Sequence, residues 1–103
     1  MDKQIFVEVR YTVKSGKRDE FCRKVSEAGV AEASRREAGN RRYEYFYPVD
    51  SCDEIYLSEI WESAEAQKMH SASEHYKKLG EIRAAYVEKT RIESFFISEK
   101  QDQ

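Results

Sequence analysis

The chain of 103 residues has one tryptophan, one proline, two cysteines and two histidines. No apolar run approaches the roughly 18 residues needed to span a bilayer, so no helical membrane span is expected. Met1-Asp2-Lys3-Gln4 leads directly into a strand-like segment and has no signal-peptide core. Cys22 and Cys52 are far apart and neither belongs to a CxxC pair. Two free thiols in a reducing cytoplasm are therefore expected, with a disulfide as the alternative. No GxSxG elbow, P-loop or dinucleotide glycine fingerprint occurs, which leaves serine-hydrolase and nucleotide readings without support. Net charge is −2 with acids and bases interspersed. That excludes an electrostatic footprint for nucleic acid and offers no membrane-binding tract.

Charge itself is plentiful. Charged residues make up 37% of the chain, against roughly 25% in an average soluble protein. Aromatic residues make up 13%, so apolar burial rests on a few large rings. The length suits a single domain, 1–103, with a core of 4–98 and a polar, frayed tail at 99–103. A domain this small gains from burying surface against a second copy.

In "QIFVEVRYTV", Ile5, Val7, Val9, Tyr11 and Val13 alternate with Glu8, Arg10 and Thr12. Period two predicts a half-buried strand. Lys14 to Lys17 break the pattern, and Asp19 and Glu20 suit the first turn of a helix that should run to about Glu37. Gly39 supplies a left-handed stop. Residues 41–47 alternate again, with Tyr43, Tyr45 and Tyr47 on one face and Arg42, Glu44 and Phe46 on the other. Pro48 ends that strand or puts it at an edge. "EIYLSEIW" sets Ile55, Leu57, Glu59 and Trp61 on one face, and the two strands read as a hairpin. Ser63 caps a short helix to about His70, and Ser71 with Glu74 has capping-box spacing for a second. A last strand spans about 91–98. The order β-α-β-β-α-α-β, with right-handed crossovers, predicts an α+β, ferredoxin-like split βαβ with an antiparallel sheet. Its uncovered face is apolar enough to pair with a second copy.

The stretches "VRYTVKSGKRDEF", "EAGNRRYEYF" and "IYLSEIWESAEAQKMHSASEHYKKL" together resemble the antibiotic biosynthesis monooxygenase superfamily. The shared elements are Gly39, then Arg42-Tyr43-Glu44, Glu59-Ile60-Trp61, His70 and Ser73-Glu74-His75-Tyr76. The resemblance covers residues 4–98 and implies a dimeric α/β barrel. It also implies one of several chemistries: cofactor-free oxygenation of quinols and polyketides, haem degradation, or isomerisation of a phosphorylated sugar. Trp61 fits the haem-degrading branch. The strand-one asparagine of that branch falls near Val9, and neither His70 nor His75 convincingly meets its haem-ligand position. Haem is disfavoured and no cofactor is expected.

The candidate chemistry gathers between Ser58 and Leu79. Imidazole titrates near neutral pH, so His70 is a candidate general base, or else a charge placed favourably at a helix end. Glu59 alternates with apolar residues. If buried it must be paired, with Arg42 or Arg91, or protonated, or it orients a histidine. Trp61 is either core or the wall of a flat substrate site. Tyr43 is scaffold or a polar positioning group, Arg42 is salt-bridged or, in an isomerase, holds an anionic substrate group, and His75, if not simply packed at the surface, completes the binding set with Tyr76. Five residues apart on a continuous helix, His70 and His75 would be about 140° apart, but a helix break at Ser71 leaves their relative placement open. With no cysteine or third histidine beside them, no metal site is expected. The expected function is monooxygenation of a small, quinol-like hydroxyaromatic by dioxygen in a homodimer. Keto–enol isomerisation of an anionic metabolite and a non-enzymatic ligand-binding dimer are the alternatives.

Overall fold

A computed structural model describes residues 3–100; Met1, Asp2 and the last three residues of the expected tail lie outside the described residues. The elements are β1 (Gln4–Val13), α1 (Arg18–Glu27), α2 (Val30–Arg35), β2 (Asn40–Phe46), β3 (Glu54–Trp61), α3 (Ala64–Ser71), α4 (Glu74–Tyr86) and β4 (Val87–Ile97). They form one antiparallel sheet in the order β2-β3-β1-β4. This is the α+β, ferredoxin-like arrangement that the alternation of β1 and the β2–β3 hairpin foretell. The sheet of the single chain is open and does not close into a barrel. No helix among the described residues is long and apolar enough to cross a membrane.

Pairing register divides the sheet into two faces. Val7 lies opposite Glu59 and Ser94, and Glu59 lies opposite Tyr43. Ile5, Val7, Val9, Tyr11 and Val13 are all buried, with Ile55, Leu57 and Trp61 from β3. The helices cover this face. Aromatic rings knit them to it: Phe21 of α1 meets Tyr11 edge-on at 5.7 Å and Tyr86 of α4 at 6.2 Å. The other face carries Phe6, Arg10, Tyr56, Arg42 and Phe95, and no helix among the described residues lies over it.

Four local expectations are corrected. The first helix does not run unbroken to Glu37; it stops at Ala28, and Gly29 (φ 69°) restarts it as α2. Only that break turns Val30 fully into the core. Gly39 is not the left-handed stop, since positive φ occurs only at Gly16 and Gly29 among the described residues. Gly39 is small because α3 crosses it: a Cβ there would sit 2.3 Å from the Cβ of Ala66. The cap of α4 is Ser73, whose hydroxyl accepts from the Tyr76 amide; Ser71 instead donates to the Gln67 carbonyl. The last strand also starts earlier than expected, because the Val87 backbone is already extended where α4 ends.

Candidate active site

The end of β3, the α3–α4 junction and the turn before β2 meet at one place. Ser63 caps α3 by accepting from the Ala66 amide. The last turn of that helix carries His70, whose carbonyl accepts from the Ser73 amide at 3.0 Å and the Ser73 hydroxyl at 2.6 Å. The turn at Ala72–Ser73 re-aims the chain, so His70 and His75 face each other with ring centroids 5.6 Å apart. A continuous helix would have held them apart. Glu37 arrives from the turn after α2. Its amide donates to the Ser34 carbonyl, its carbonyl accepts from the Asn40 amide, and the Glu62 amide donates to the Gly39 carbonyl close by.

One carboxylate oxygen, Glu37 Oε2, lies 2.6 Å from His70 Nδ1 and 2.8 Å from His75 Nε2. A carboxylate can only accept, so each of these ring nitrogens carries its proton. The neutral His70 ring then has its lone pair on Nε2. His70 is 3% exposed. Burial draws its pKa below the ordinary histidine value; the hydrogen bond and charge of Glu37 oppose that shift, while His75 adds to it. Neutral imidazole is thus favoured near physiological pH. On its other side, Nε2 stands 4.0 Å from Glu59 Oε1, too long for a hydrogen bond.

Glu59 is 7% exposed. Its Oε1 accepts from the Trp61 indole at 2.9 Å, a contact between alternate residues on one face of β3. Burial raises the Glu59 carboxyl to about 7; the Trp61 hydrogen bond opposes this, Glu37 adds to it and Arg83 subtracts from it. The carboxyl is therefore poised between neutral and charged forms near neutral pH.

Beside these groups a cleft of about 480 Å³, including its open mouth, lies between the sheet and α3–α4. Val7, Val9, Leu57 and Leu79 give it apolar walls; Glu59, His70, Tyr76, Arg83, Tyr11 and Gln67 give it polar groups. Arg83 sits 5.4 Å from the Tyr76 ring centroid. The Tyr11 hydroxyl is raised to about 12 by burial, with Arg83 pulling the other way. A guanidinium, two phenols, an imidazole and a carboxyl around one cleft can bind a flat polar ring and move its proton.

Of the residues singled out in the sequence, His70, Glu59 and Tyr76 line this cleft. Trp61 is fully buried and does not wall it; the indole lies under His70, 4.5 Å between ring centroids at 32°, and holds Glu59. Tyr43 packs edge-on against His70 at 5.7 Å and its hydroxyl meets that of Tyr45, so it supports the imidazole from behind. His75 stands on Glu37 rather than in the cleft. Arg42 is on the opposite face of the sheet, its guanidinium donating to the Ser58 hydroxyl. It cannot pair with Glu59 or hold an anion here, because residues alternate across a strand. Arg91 is likewise on the open face, beside Glu93. Glu37 and Arg83 were not anticipated. The one signal for Glu37 was its place at the head of the Glu37-Ala38-Gly39-Asn40 stretch; Arg83 had none. Cys22 and Cys52 are both free.

Solved structures share the whole fold. A protein from Pseudomonas aeruginosa superposes with a TM-score of 0.85 at 19% identity, covering 96% of this chain and 98% of that one. One from Shewanella oneidensis gives 0.85 at 21% identity, covering 94% and 93%. A Caulobacter crescentus protein, provisionally named an antibiotic biosynthesis monooxygenase, gives 0.84 at 20% identity, covering 95% and 92%. No curated protein matches the chain significantly. The family model described as antibiotic biosynthesis monooxygenase matches residues 4–81, and the chain belongs to that family.

Proposed function

We propose that the protein is a cofactor-free monooxygenase of a small, electron-rich hydroxyaromatic such as a quinol, bound in the cleft between the sheet and α3–α4. The observation that carries this is the clamp of Glu37 on His70 Nδ1 at 2.6 Å, which leaves the Nε2 lone pair at the cleft. His70 takes the phenolic proton. Arg83, with the Tyr11 and Tyr76 hydroxyls, steadies the resulting oxyanion, and the apolar walls keep water from the reduced oxygen species. The oxyanion passes one electron to dioxygen. The substrate radical and superoxide combine in a new C–O bond at the ring. Loss of the ring proton and cleavage of the O–O bond then release water and leave a quinone, so the second oxygen atom departs as water.

Dioxygen is the co-substrate in this reading and haem has no part in it: Val9 stands where the haem-degrading branch has its asparagine, and neither His70 nor His75 convincingly meets the haem-ligand position. The working unit is a homodimer joined through the uncovered sheet face, where Phe46 and Phe95 are each 49% exposed. Two free cysteines fit a cytoplasmic location. In the isomerase alternative Arg42 was to hold the anion, but it lies across the sheet from the cleft.

The test is incubation with a panel of quinols, with and without oxygen, following quinone absorbance and oxygen uptake. Turnover should need oxygen but no added metal or cofactor, and His70→Ala should lose about 100-fold or more. Turnover that persists anaerobically, or that ignores His70→Ala, overturns the reading.

A further inference from the structure

Two imidazole nitrogens and one carboxylate oxygen meet at Glu37, and all three ligating atoms lie within 4.8 Å of one another. They come from three separate places in the chain: the turn before β2, the end of α3 and the start of α4. Two features suit them to more than hydrogen bonding. On the far side of the His70 ring, Nε2 faces Glu59 at 4.0 Å, close enough for a small shift to bring them into contact, and Glu59 is itself fixed by Trp61. A carboxylate behind the second nitrogen is the usual outer support of a metal-bound histidine. His75 and Glu37 also keep 17% and 18% of their side-chain surface open, so an ion can reach the cluster from solvent.

We propose that Glu37, His70 and His75 form a binding site for a divalent transition-metal ion of the zinc, cobalt or nickel class, and that loading it silences His70 as a base. Two nitrogens and one oxygen without a thiolate suit these borderline ions and not magnesium or calcium. Metal–ligand bonds of about 2.1 Å set ligand atoms roughly 3.0–3.4 Å apart. The present nitrogen–oxygen contacts of 2.6 and 2.8 Å must therefore open by about half an ångström, and the two nitrogens must draw together. Glu37 sits in a turn and the Ala72–Ser73 junction separates the histidines, so no helix has to unwind.

The tautomers then exchange. In the metal-free form the proton is on His70 Nδ1 and the lone pair on Nε2. With an ion on Nδ1, the one proton of the neutral ring must sit on Nε2, where it points to Glu59. His75 makes the converse shift, from Nε2–H to Nδ1–H. No proton is lost overall, but the lone pair that faces the cleft disappears. The silencing rests on the base assignment made above; the metal site does not.

Binding of Zn2+ alone to chelator-treated protein, measured by calorimetry in a Cys22→Ser/Cys52→Ser background, tests the site. One ion per chain is expected, with affinity falling about tenfold or more in each of Glu37→Gln and His75→Ala. Circular dichroism confirms that these variants fold, and Glu37→Gln keeps the hydrogen-bond acceptor. Nitrogen-15 spectra should show the His70 proton moving from Nδ1 to Nε2 on loading. No binding at millimolar Zn2+, or equal binding by Glu37→Ala/His75→Ala, overturns the site. Zn2+ should also stop quinol turnover, reversibly with chelator. Binding without turnover on any quinol sinks only the monooxygenase reading; turnover with no Zn2+ binding sinks only the metal site.

Discussion

The indole Nε1 of Trp61 donates to Glu59 Oε1 at 2.9 Å, and both residues are buried on the helix-covered face of β3. Residues two apart on a strand share a face, so the pairing follows from the Glu59-Ile60-Trp61 spacing. It gives the tryptophan a role that a packing account alone misses. Trp61→Phe keeps most of the ring but leaves a buried carboxyl oxygen without its donor. The expected cost is about 1–3 kcal/mol, read from urea unfolding. The Glu59 carboxyl should also titrate higher, because the Trp61 hydrogen bond is what holds it down. A carbon-13 titration of Glu59 that does not move would refute the coupling.

Glu59 also predicts how stability depends on pH. Its carboxyl is raised from 4.5 to about 7 in the folded protein. Below 4.5 both folded and unfolded states hold the proton. Between 4.5 and 7 the unfolded chain releases it and the folded one keeps it, so stability falls as pH rises, and above 7 the loss is complete. His70 acts in the opposite sense, because its lowered pKa removes stability as pH falls below 6.5. Glu59→Gln retains an acceptor for Trp61 and removes only the carboxyl's share. The variant should match the parent near pH 4.5 and exceed it at pH 8, by at most on the order of 3 kcal/mol. Unfolding midpoints at the two pH values decide it; a variant less stable at pH 8 contradicts the account. Glu37 and Arg83, which also act on Glu59, are unchanged in the comparison.

The pattern of buried residues was legible wherever local periodicity decides structure. Ile5 to Val13 alternate and are buried in alternation; Ile55, Leu57, Glu59 and Trp61 share a covered face as their spacing requires. The site was legible only in part. His70 and Glu59 stood out as a rare titrating group and a misplaced charge. Arg83 did not, because in a chain that is 37% charged nothing one-dimensional marks one guanidinium from the rest, and Glu37 had only its place at the head of the Glu37-Ala38-Gly39-Asn40 stretch. The helix break between the histidines was legible, but not the angle it produces: the turn at Ala72–Ser73 brings the two rings to 5.6 Å. Arg42 was misassigned because two adjacent strands leave open which face the helices cover until the register is known.

Two glycines separate backbone freedom from lack of room. Gly29 has φ 69° and open space where a Cβ would lie, so Gly29→Ala suffers only the left-handed conformation, about 1 kcal/mol. At Gly39 the φ is ordinary, but a Cβ would lie 2.3 Å from that of Ala66. Gly39→Ala must push α3 off the start of β2, which costs about 1–3 kcal/mol and loosens the turn that carries Glu37. Gly39→Ala should therefore lower the thermal midpoint more than Gly29→Ala and weaken the Glu37–His70 contact, seen as a change in the His70 ring shifts. The reverse order would mean that α3 yields freely at Ala66. Adding Ala66→Gly to Gly39→Ala should restore part of the loss, since it removes the opposing methyl.

The open sheet face carries the last prediction. Phe95 of β4 stacks on Phe6 of β1 at 6.1 Å and 23°, yet remains 49% exposed, as does Phe46 on the same face. Rings held in place by a sheet and left half in water are what a partner surface covers. Glu93 and Glu8 lie two residues away on that face, paired across β1 and β4. A further carboxylate at position 95 would sit among like charges and lose the ring. Phe95→Glu should therefore convert a dimer to a monomer in sedimentation at micromolar concentration, with the helical signal unchanged because the helices lie on the other side. If the parent protein itself sediments as a monomer, the face is not a dimer interface and the two rings simply face water. If Phe95→Glu remains dimeric, the copies meet elsewhere, and the far side of β4, where Phe96 is 70% exposed, is the next surface to change.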